Sequence, residues 1–509
     1  MKKLGIGIQS FSKLISEGFV YVDKTPIIYQ LVTSAGYYFL SRPRRFGKSL
    51  LVSTLREIFS GNRELFCDTW IYDRIEWRMH PVIHIDFSQI NYITHGLSKG
   101  LEMHLDQIAG RYQIELPYSD PKDILIYLIK KLSLQDKVVL LIDEYDKPII
   151  DFLGNFDRAE SNREILKNFY SGIKGLDDYL RFVFVTGVSK FSKVSIFSDL
   201  NNLRDLTLSR DYSQLLGYTE SEIESYFDEY LRRLSDESKL SRKALDEKIR
   251  WWYNGYSWDG RQFVYNPFSI LNLFAELDFR NFWFTTGTPT FLTEAIRDQQ
   301  IDVEKLSRLA VSQAFFDKFE LRRLDIYSLL FQTGYLTIKE YDAESGRYYL
   351  SYPNEEVRVS LLSNLLEAYS HRVQSETGSL IFGMEDSLKS GDMESFIQAL
   401  RSLFASIPYQ IFIDQLEYYY QSVIYIALKL VGVRLACEVQ THRGRIDAVV
   451  ETKERIYVME FKMGSSEEAL KQIEEQGYAQ PYQSDVRELV KVGIGFSREA
   501  RNIADWLIG

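Results

Sequence analysis

An uninterrupted apolar run that ends in two carboxylates restricts the fold of this chain more than any other feature. Val138 to Ile142 are five consecutive apolar residues, and Asp143 and Glu144 follow them directly. Such a run is typical of a strand buried on both faces, which requires helices on both sides of a parallel sheet. The alternation of strand and helix patterns around it predicts an α/β fold with a doubly wound parallel sheet.

A second apolar strand, residues 37–40, leads into residues 41–50, where Gly47-Lys48-Ser49 stands directly before a helical pattern. Backbone N–H groups and a helix N-terminus bind phosphate in this strand-to-helix setting. We expect Lys48 to neutralise the β- and γ-phosphates and the Ser49 hydroxyl to coordinate Mg²⁺. Arg42 occupies the position of the first Gly in the pattern G-x-x-x-x-G-K-[ST], and it restricts the backbone there. A basic turn before an amphipathic helix is the structural alternative.

The carboxylates that end the apolar run are expected to complete this site. Ligands of open α/β sheets bind at the carboxyl ends of the strands. Asp143 is therefore predicted to hold Mg²⁺ through water, and Glu144 to polarise the water that attacks ATP. Another apolar strand, residues 181–187, ends before Ser189 and Lys190. Their position suits sensing of a γ-phosphate, although an ordinary loop explains them equally well.

The middle of the chain is mainly helical. Residues 219–222, Thr-Glu-Ser-Glu, form a capping box, and a helical lid is predicted over residues 216–290. A helical pattern followed by two alternating strands around Ser345-Gly346 gives residues 291–365 the outline of a winged helix. The predicted domains are thus residues 1–215, 216–290, 291–365, a helical linker at 366–400, and 401–509.

The last hundred residues place a second set of charged side chains at one sheet edge. Asp447 begins one strand of a predicted hairpin, and Glu460 and Lys462 share a face of the other strand. Asp447 and Glu460 can bind Mg²⁺ or Mn²⁺, and Lys462 can orient water or stabilise developing charge. Glu417 is predicted to complete the metal shell or to order a metal-bound water, and Gln476 to hold the lysine or a phosphate. A surface hairpin with a Glu-x-Lys pair is the structural alternative.

The first 290 residues resemble the predicted AAA-ATPase-like proteins of bacteria and archaea. The matching segments are residues 21–25, 42–49, 141–146, 252–256 and 265–267. The resemblance implies a P-loop NTPase domain whose nucleotide-binding residues are Arg42, Arg45, Phe46, Gly47, Lys48, Ser49 and Leu50. It also implies that Arg42 or Arg45 contacts phosphate through its guanidinium group.

Residues 400–509 resemble the PD-(D/E)XK nuclease superfamily, in the form that accompanies this ATPase-like family. Residues 444–447, Gly-Arg-Ile-Asp, correspond to the first acidic motif, and residues 460–462, Glu-Phe-Lys, to the second. Gln472, Gln476 and Tyr478 match the following helix. The resemblance implies a restriction-endonuclease-like α/β domain with an intact site, or the same fold in a role that only binds.

Composition limits the partners of the chain. Its net charge is -10, so contacts with nucleic acid must be local, through Arg443, Arg445 or Lys462, or must be supplied by the ATPase half. DNA is the expected partner rather than RNA. The two cysteines, Cys67 and Cys437, predict no disulfide framework. No apolar run of about 18 residues occurs. We therefore expect a cytoplasmic protein without a membrane span.

These patterns together predict an ATP-binding and ATP-hydrolysing protein fused to a metal-dependent nuclease that cleaves phosphodiester bonds under nucleotide control. One alternative is a non-catalytic, nucleotide-gated regulator whose nuclease-like domain only binds a partner. Another is a hexameric AAA motor, which needs an arginine supplied by a neighbouring copy. Arg204 and Arg210 are candidates for that arginine by position, and the sequence leaves a homo-oligomer open.

Overall fold

Contacts in the computed structural model divide the chain into two units. The first comprises Met1–Thr285 and Leu309–Glu356, and the second Thr286–Arg308 and Val357–Gly509. The structure describes residues 1–34, 36–190, 197, 202–283, 292, 295–296, 299, 301–316, 325–370, 372–406, 416–432, 436–441 and 446–509. For residues 374, 416–421, 436–441 and 446–447 it describes the backbone and not the side chain.

A parallel five-stranded sheet forms the centre of the first unit. Its strands are β1 Gly36–Ser41, β2 Val82–Asp86, β3 Val138–Asp143, β4 Leu180–Gly187 and β5 Leu203–Asp205. They lie in the order β2-β3-β4-β1-β5, and each neighbouring pair is parallel. β3 is buried along its whole length, as its apolar run predicts. The predicted parallel sheet is confirmed, and β5 is an edge strand that the sequence analysis did not identify.

Eight helices within the described part of residues 1–202 connect and cover these strands. They are α1 Phe11–Ser16, α2 Thr25–Thr33, α3 Lys48–Phe59, α4 Tyr92–His95, α5 Leu97–Arg111, α6 Pro121–Leu132, α7 Lys147–Ile150 and α8 Phe156–Ser171. The helix α3 packs against β2, β3 and β4. Its buried side chains Leu51, Leu55 and Ile58 recur at helical spacing, which fixes the N-terminus of α3 at the carboxyl edge of the sheet.

The helical region after residue 215 has its own apolar core. Its helices are α9 Glu220–Tyr226, α10 Asp228–Ser238, α11 Arg242–Tyr253 and α12 Pro267–Glu276. The capping box at Thr219 is present. Phe227, Leu234, Leu245 and Phe274 are among the buried residues of this core, so the helices pack on one another through their apolar faces.

A helix and a small antiparallel sheet complete the first unit. They are α13 Ile326–Thr333 and the strands β6 Leu309–Val311, β7 Thr337–Asp342 and β8 Arg347–Ser351, in the order β6-β8-β7. The helix and hairpin expected within residues 291–365 are therefore present. The contacts assign Leu309–Glu356 of this region to the first unit and the flanking parts to the second.

The second unit combines helices with a mixed five-stranded sheet. The helices are α14 Glu355–Ser370, which begins at the end of the first unit, α15 Gln374–Ser390, α16 Met393–Ala405, α17 Leu416–Val431 and α18 Ser466–Glu475. The strands are β9 Ala436–Thr441, β10 Ile446–Glu451, β11 Arg455–Met463, β12 Glu488–Ser497 and β13 Asn502–Ile508. This confirms the predicted C-terminal α/β domain, and α14 and α15 make the predicted linker helical.

The sheet of the second unit runs β13-β12-β11-β10-β9. Only β11 and β12 pair in parallel among these strands, and α18 packs against both. A side chain at Gly493 would bring its Cβ within 2.7 Å of the Leu470 backbone nitrogen. Glycine is therefore required where α18 crosses β12. Among the described residues, no helix has both the length and the apolar character that crossing a bilayer requires.

Candidate active sites

The P-loop, residues 42–47, turns from β1 into α3. Gly47 has a φ of 92° and directly precedes Lys48, the first residue of the helix. Glycine adopts this left-handed conformation without steric cost. Arg45, with a φ of 68°, is left-handed without being glycine. The turn brings the N-terminus of α3, with its unpaired N–H groups, to the edge of the sheet where phosphate would bind.

The ammonium group of Lys48 is held by the P-loop itself. It donates to the carbonyl oxygens of Arg42 at 3.0 Å and Pro43 at 2.9 Å. Burial lowers the pKa of Lys48, and the nearby charges of Asp143 and Glu144 act in the opposite direction. The lysine is therefore already at the site, and its partners are backbone oxygens that a phosphate can replace.

Asp143 lies at the carboxyl end of β3, beside the start of α3. The Ser49 hydroxyl hydrogen-bonds to its carboxylate, and the Glu144 backbone N–H donates to it at 2.9 Å. Its side chain is buried, and this burial raises its pKa to about 6. The structure thus brings Lys48, Ser49 and Asp143 together.

These residues suit a bound Mg²⁺·nucleotide. Magnesium typically uses one or two carboxylates together with substrate phosphates and water, rather than a cage of protein ligands. Ser49 and Asp143 supply an hydroxyl and a carboxylate of this kind. The described side chains contain no group of three His, Cys, Asp or Glu residues arranged to hold a metal.

Asp86 is a residue of this site that the sequence analysis did not select. It is the register partner of Asp143 on the neighbouring strand β2, and its charge acts to raise the pKa of both Asp143 and Glu144. Its carboxylate accepts from the Ser88 N–H at 2.9 Å and from Gln89 Nε2 at 2.8 Å. The available signal was a strand that ends in an acid, the same pattern that identified Asp143.

Arg42 does not have the environment that the family resemblance implied. Only 1% of it is exposed, and its Nη1 donates to the Ser41 and Thr207 carbonyl oxygens at 2.9 and 2.8 Å. The guanidinium carbon lies 3.9 Å from the centre of the Trp258 ring. The expectation of a direct phosphate contact is therefore replaced by an anchoring role, because the side chain leaves the loop on its buried side.

The next residues of the P-loop also pack on aromatic side chains. The Arg45 guanidinium lies 3.6 Å from the centre of the Phe268 ring. Phe46 makes edge contacts with Tyr256 and Trp258, at 4.8 and 5.3 Å between ring centres. Leu50 lies in the first turn of α3 and is partly exposed. The sequence motifs around residues 252–268 therefore support the P-loop.

The two predicted sensor residues are engaged inside the first unit. Ser189 is buried, and its hydroxyl donates to Asp146 at 2.6 Å. Lys190 forms an ion pair with Asp205 at 2.8 Å. In this conformation, neither side chain is presented to a phosphate. Arg204 and Arg210, the candidates for an arginine acting on a neighbouring copy, are exposed.

In the second unit, Asp447 and Glu460 are direct register partners on the antiparallel strands β10 and β11. Opposite residues place their Cβ atoms on the same face, about 4.5–5.5 Å apart. Glu460 is fully buried, and neither carboxylate oxygen has a hydrogen-bond partner among the described residues. A buried carboxylate without a partner is unfavourable, and a divalent cation is a partner that it suits. The side chains of Asp447 and Glu417 lie outside the described residues, as do Arg443 and Arg445.

Lys462 and the helix α18 lie next to this pair. Lys462 follows Glu460 by two residues on β11, so both side chains point to one face. Its ammonium makes no hydrogen bond or ion pair with a residue that the structure describes. Gln472 on α18 is buried, and its Nε2 also lacks a partner within the described chain. By contrast, Gln476, the predicted catalytic amide, is exposed at the C-cap of α18.

The fold and the two sites define a protein that joins a P-loop ATPase-like domain to a nuclease-like domain. Residues 5–197 match the family model described as Predicted AAA-ATPase, and residues 415–506 match that of the PD-(D/E)XK nuclease superfamily. A protein from Azotobacter chroococcum mcd 1, described as an uncharacterized protein in the vnfD 5′ region, is 38% identical over 529 residues. The similarity covers 100% of this chain and 99% of the relative. The chain therefore belongs to the predicted AAA-ATPase family that carries a C-terminal PD-(D/E)XK nuclease superfamily domain.

Proposed function

We propose that this protein hydrolyses ATP and that its nucleotide state controls a divalent-metal-dependent nuclease acting on DNA. The convergence of Lys48, Ser49 and Asp143 at the N-terminus of α3 is the observation that carries the ATPase assignment. Glu460, which is buried opposite Asp447 and has no hydrogen-bond partner among the described residues, carries the nuclease assignment.

In the ATPase site, the residues present account for binding and for activation of water. Lys48 exchanges the Arg42 and Pro43 carbonyl oxygens for the β- and γ-phosphates. Ser49 and Asp143 would hold the magnesium that accompanies the nucleotide. Magnesium neutralises phosphate charge when it is bound. Burial raises the pKa of Glu144, which makes its carboxylate a stronger base for the attacking water.

In the nuclease site, the carboxylates of Asp447 and Glu460 would hold Mg²⁺ or Mn²⁺. A metal held there would supply activation of a water molecule and stabilisation of charge on the phosphodiester. Lys462 orients the attacking water or pairs with the developing negative charge. Gln472, rather than Gln476, is the amide that we assign to this site, because it is buried on α18 and its Nε2 has no partner within the described part of the chain.

The ATPase assignment is tested by measuring phosphate release from Mg²⁺·ATP. We expect turnover by the wild type and its loss in Lys48→Ala. Lys137→Ala is the matched control, because this lysine is exposed just before β3 and should leave turnover unchanged. Equal turnover in wild type and Lys48→Ala would contradict the assignment.

The nuclease assignment is tested by cleavage of linear and single-stranded DNA, and of RNA, with Mg²⁺ or Mn²⁺. We expect the wild type to cleave DNA and Lys462→Ala to lose this activity. Lys453→Ala, in the exposed β10–β11 turn, is the control and should retain it. Parallel reactions without nucleotide, with ATP and with a non-hydrolysable analogue test the control by nucleotide. DNA binding without cleavage under all these conditions would favour the non-catalytic regulator.

A further inference from the structure

The first unit contains a fully buried carboxylate, Asp146, that the nucleotide site described above does not use. Only 1% of Asp146 is exposed. Its oxygens accept from the backbone N–H groups of Val188 at 3.1 Å and Ser189 at 2.6 Å, and from the Ser189 hydroxyl at 2.6 Å. Asp146 follows β3, whereas residues 188–189 follow β4. One carboxylate therefore fastens together the segments that leave two neighbouring strands.

Tyr145 strengthens the same connection. Its backbone N–H donates to the Thr186 carbonyl at 3.1 Å, and its hydroxyl donates to the Ser189 carbonyl at 2.7 Å. A Cβ at Gly187 would lie 2.6 Å from the Tyr145 ring and would also collide with Asp146 Oδ1. The loop after β4 thus lies so close to residues 145 and 146 that no side chain fits between them.

These contacts bear directly on Glu144, which precedes them in the chain. Glu144 has a φ of 52°, a left-handed conformation that is uncommon for a residue with a side chain. Such a conformation persists only where the surrounding structure fixes it. The bonds from Tyr145 and Asp146 to the loop after β4 provide that constraint on its C-terminal side, and the bond from Glu144 N–H to Asp143 provides it on the other.

We propose that Asp146 is a positioning residue for ATP hydrolysis. By fastening the turn after β3 to the loop after β4, it sets the position of Glu144, the residue assigned to the attacking water. The same bonds connect the turn that carries Glu144 to Ser189, so a displacement of residues 188–189 would move the base. This inference rests on the proposed ATPase function and adds a residue to it.

Asp146→Asn tests the proposal, because asparagine keeps the shape but replaces one acceptor oxygen with a donor. At least one of the bonds from Val188, Ser189 N–H and Ser189 Oγ is then lost. We expect kcat to fall by about tenfold or more, whereas the Kd of ATP changes by less than about twofold because Lys48, Ser49 and Asp143 are untouched. Asp151→Asn is the matched control, since this acid binds Tyr92 and Lys147 instead, and it should keep full turnover.

Two further variants address the same contact from the other side. Ser189→Ala removes only the hydroxyl donor and should lower kcat less than Asp146→Asn does. The double variant should be no slower than Asp146→Asn, because residues that act through one contact are not additive. Gly187→Ala pushes the loop away from Asp146 and should lower kcat while ATP binding persists. This variant tests the proposal independently if Asp146→Asn folds poorly.

The outcomes separate this inference from the function on which it rests. Absence of ATP turnover in the wild type overturns both. Turnover in the wild type that Asp146→Asn retains at full kcat overturns the inference alone. If Asp146→Asn and Gly187→Ala lose ATP binding as well as kcat, Asp146 has a structural role instead. If the effects of Asp146→Asn and Ser189→Ala on kcat are additive, Asp146 does not act through Ser189.

Discussion

The guanidinium group of Arg42 lies 3.9 Å from the centre of the Trp258 ring, although more than two hundred residues separate them in the chain. This pair joins the first residue of the P-loop to the segment that follows the helix α11. The same guanidinium donates to the Thr207 carbonyl just after β5. The arginine therefore acts as a cross-link between three parts of the first unit.

Arg42→Gly restores the glycine of the common P-loop pattern, and we nevertheless expect it to destabilise the protein. The substitution removes the guanidinium donor from the Thr207 carbonyl oxygen and one of the two donors to the Tyr212 carbonyl oxygen, and it opens space beneath Trp258. Loss of buried, charge-assisted hydrogen bonds should lower the free energy of unfolding by about 2–4 kcal/mol. Urea denaturation measures this. Arg44→Gly, at an exposed position of the same loop, is the control, and an equal loss there would contradict the anchoring role.

Asp86→Asn should weaken the affinity of the ATPase site for metal without removing any residue assigned to the phosphates. Asp86 adds negative charge beside Asp143, and that charge favours a nearby cation. We expect the Mg²⁺ concentration for half-maximal turnover to rise by about tenfold, with turnover at saturating Mg²⁺ largely retained. Asp73 is an exposed acid of the same unit, and Asp73→Asn should not change the Mg²⁺ concentration for half-maximal turnover. An unchanged Mg²⁺ dependence in Asp86→Asn would place Asp86 outside the site.

Glu356 makes the stability of the first unit depend on pH. Its carboxylate is buried and accepts from the N–H groups of Phe282 at 2.7 Å and Trp283 at 2.8 Å and from the Ser269 hydroxyl at 2.8 Å. Burial raises its pKa to about 7, above its value in the unfolded chain. The native state therefore binds the proton more tightly than the unfolded chain does. The resulting contribution to the free energy of unfolding is complete below the pKa of the unfolded chain, and it is lost as the pH rises through the pKa of the folded protein.

Glu356→Gln isolates this effect. The amide oxygen can still accept from Phe282 and Trp283, and the side chain no longer titrates. We expect the free energy of unfolding of the wild type, relative to this variant, to fall by about 2–3 kcal/mol between about pH 4 and about pH 8. Urea titrations at several pH values measure it. A difference between the two proteins that is constant with pH would contradict the assignment.

Metal binding should stabilise the second unit through Glu460. A ligand that binds only the native state adds about 2.7 kcal/mol at one hundred times its Kd. We expect Mn²⁺ to raise the melting temperature of the wild type and to have no such effect on Glu460→Ala. Glu454→Ala, at a largely exposed residue of the β10–β11 turn, should respond like the wild type. Equal stabilisation of Glu460→Ala would place the cation elsewhere.

The elements that the sequence predicted correctly are those that depend on local patterns. The apolar run of β3 identifies a buried strand without reference to the rest of the chain. The alternation of Glu460 and Lys462 and the short turn before them placed Glu460 in the hairpin with Asp447, and the observed register pairs these two acids directly.

The features that sequence reasoning missed depend on distant partners or on a choice between equivalent positions. Burial of Arg42 requires Trp258 and Thr207, which no local pattern near residue 42 indicates. Gln472 and Gln476 are four residues apart and would share a helix face. The helix α18 ends at Glu475, so Gln472 lies within it and is buried, whereas Gln476 lies at its C-cap and is exposed. The strand β5 has three residues, too few for a recognisable period.

The absence of a side chain at Gly493 has a consequence for how the second unit can vary. Because the backbone of α18 rests directly on β12 there, its separation from the sheet is set by the peptide chain and cannot be adjusted by exchanging one apolar side chain for another. Gln472 is carried on that helix. A methyl group at residue 493, the register partner of Glu460 on the next strand, would thus displace the helix, and with it the buried amide, from the strand that carries the carboxylate.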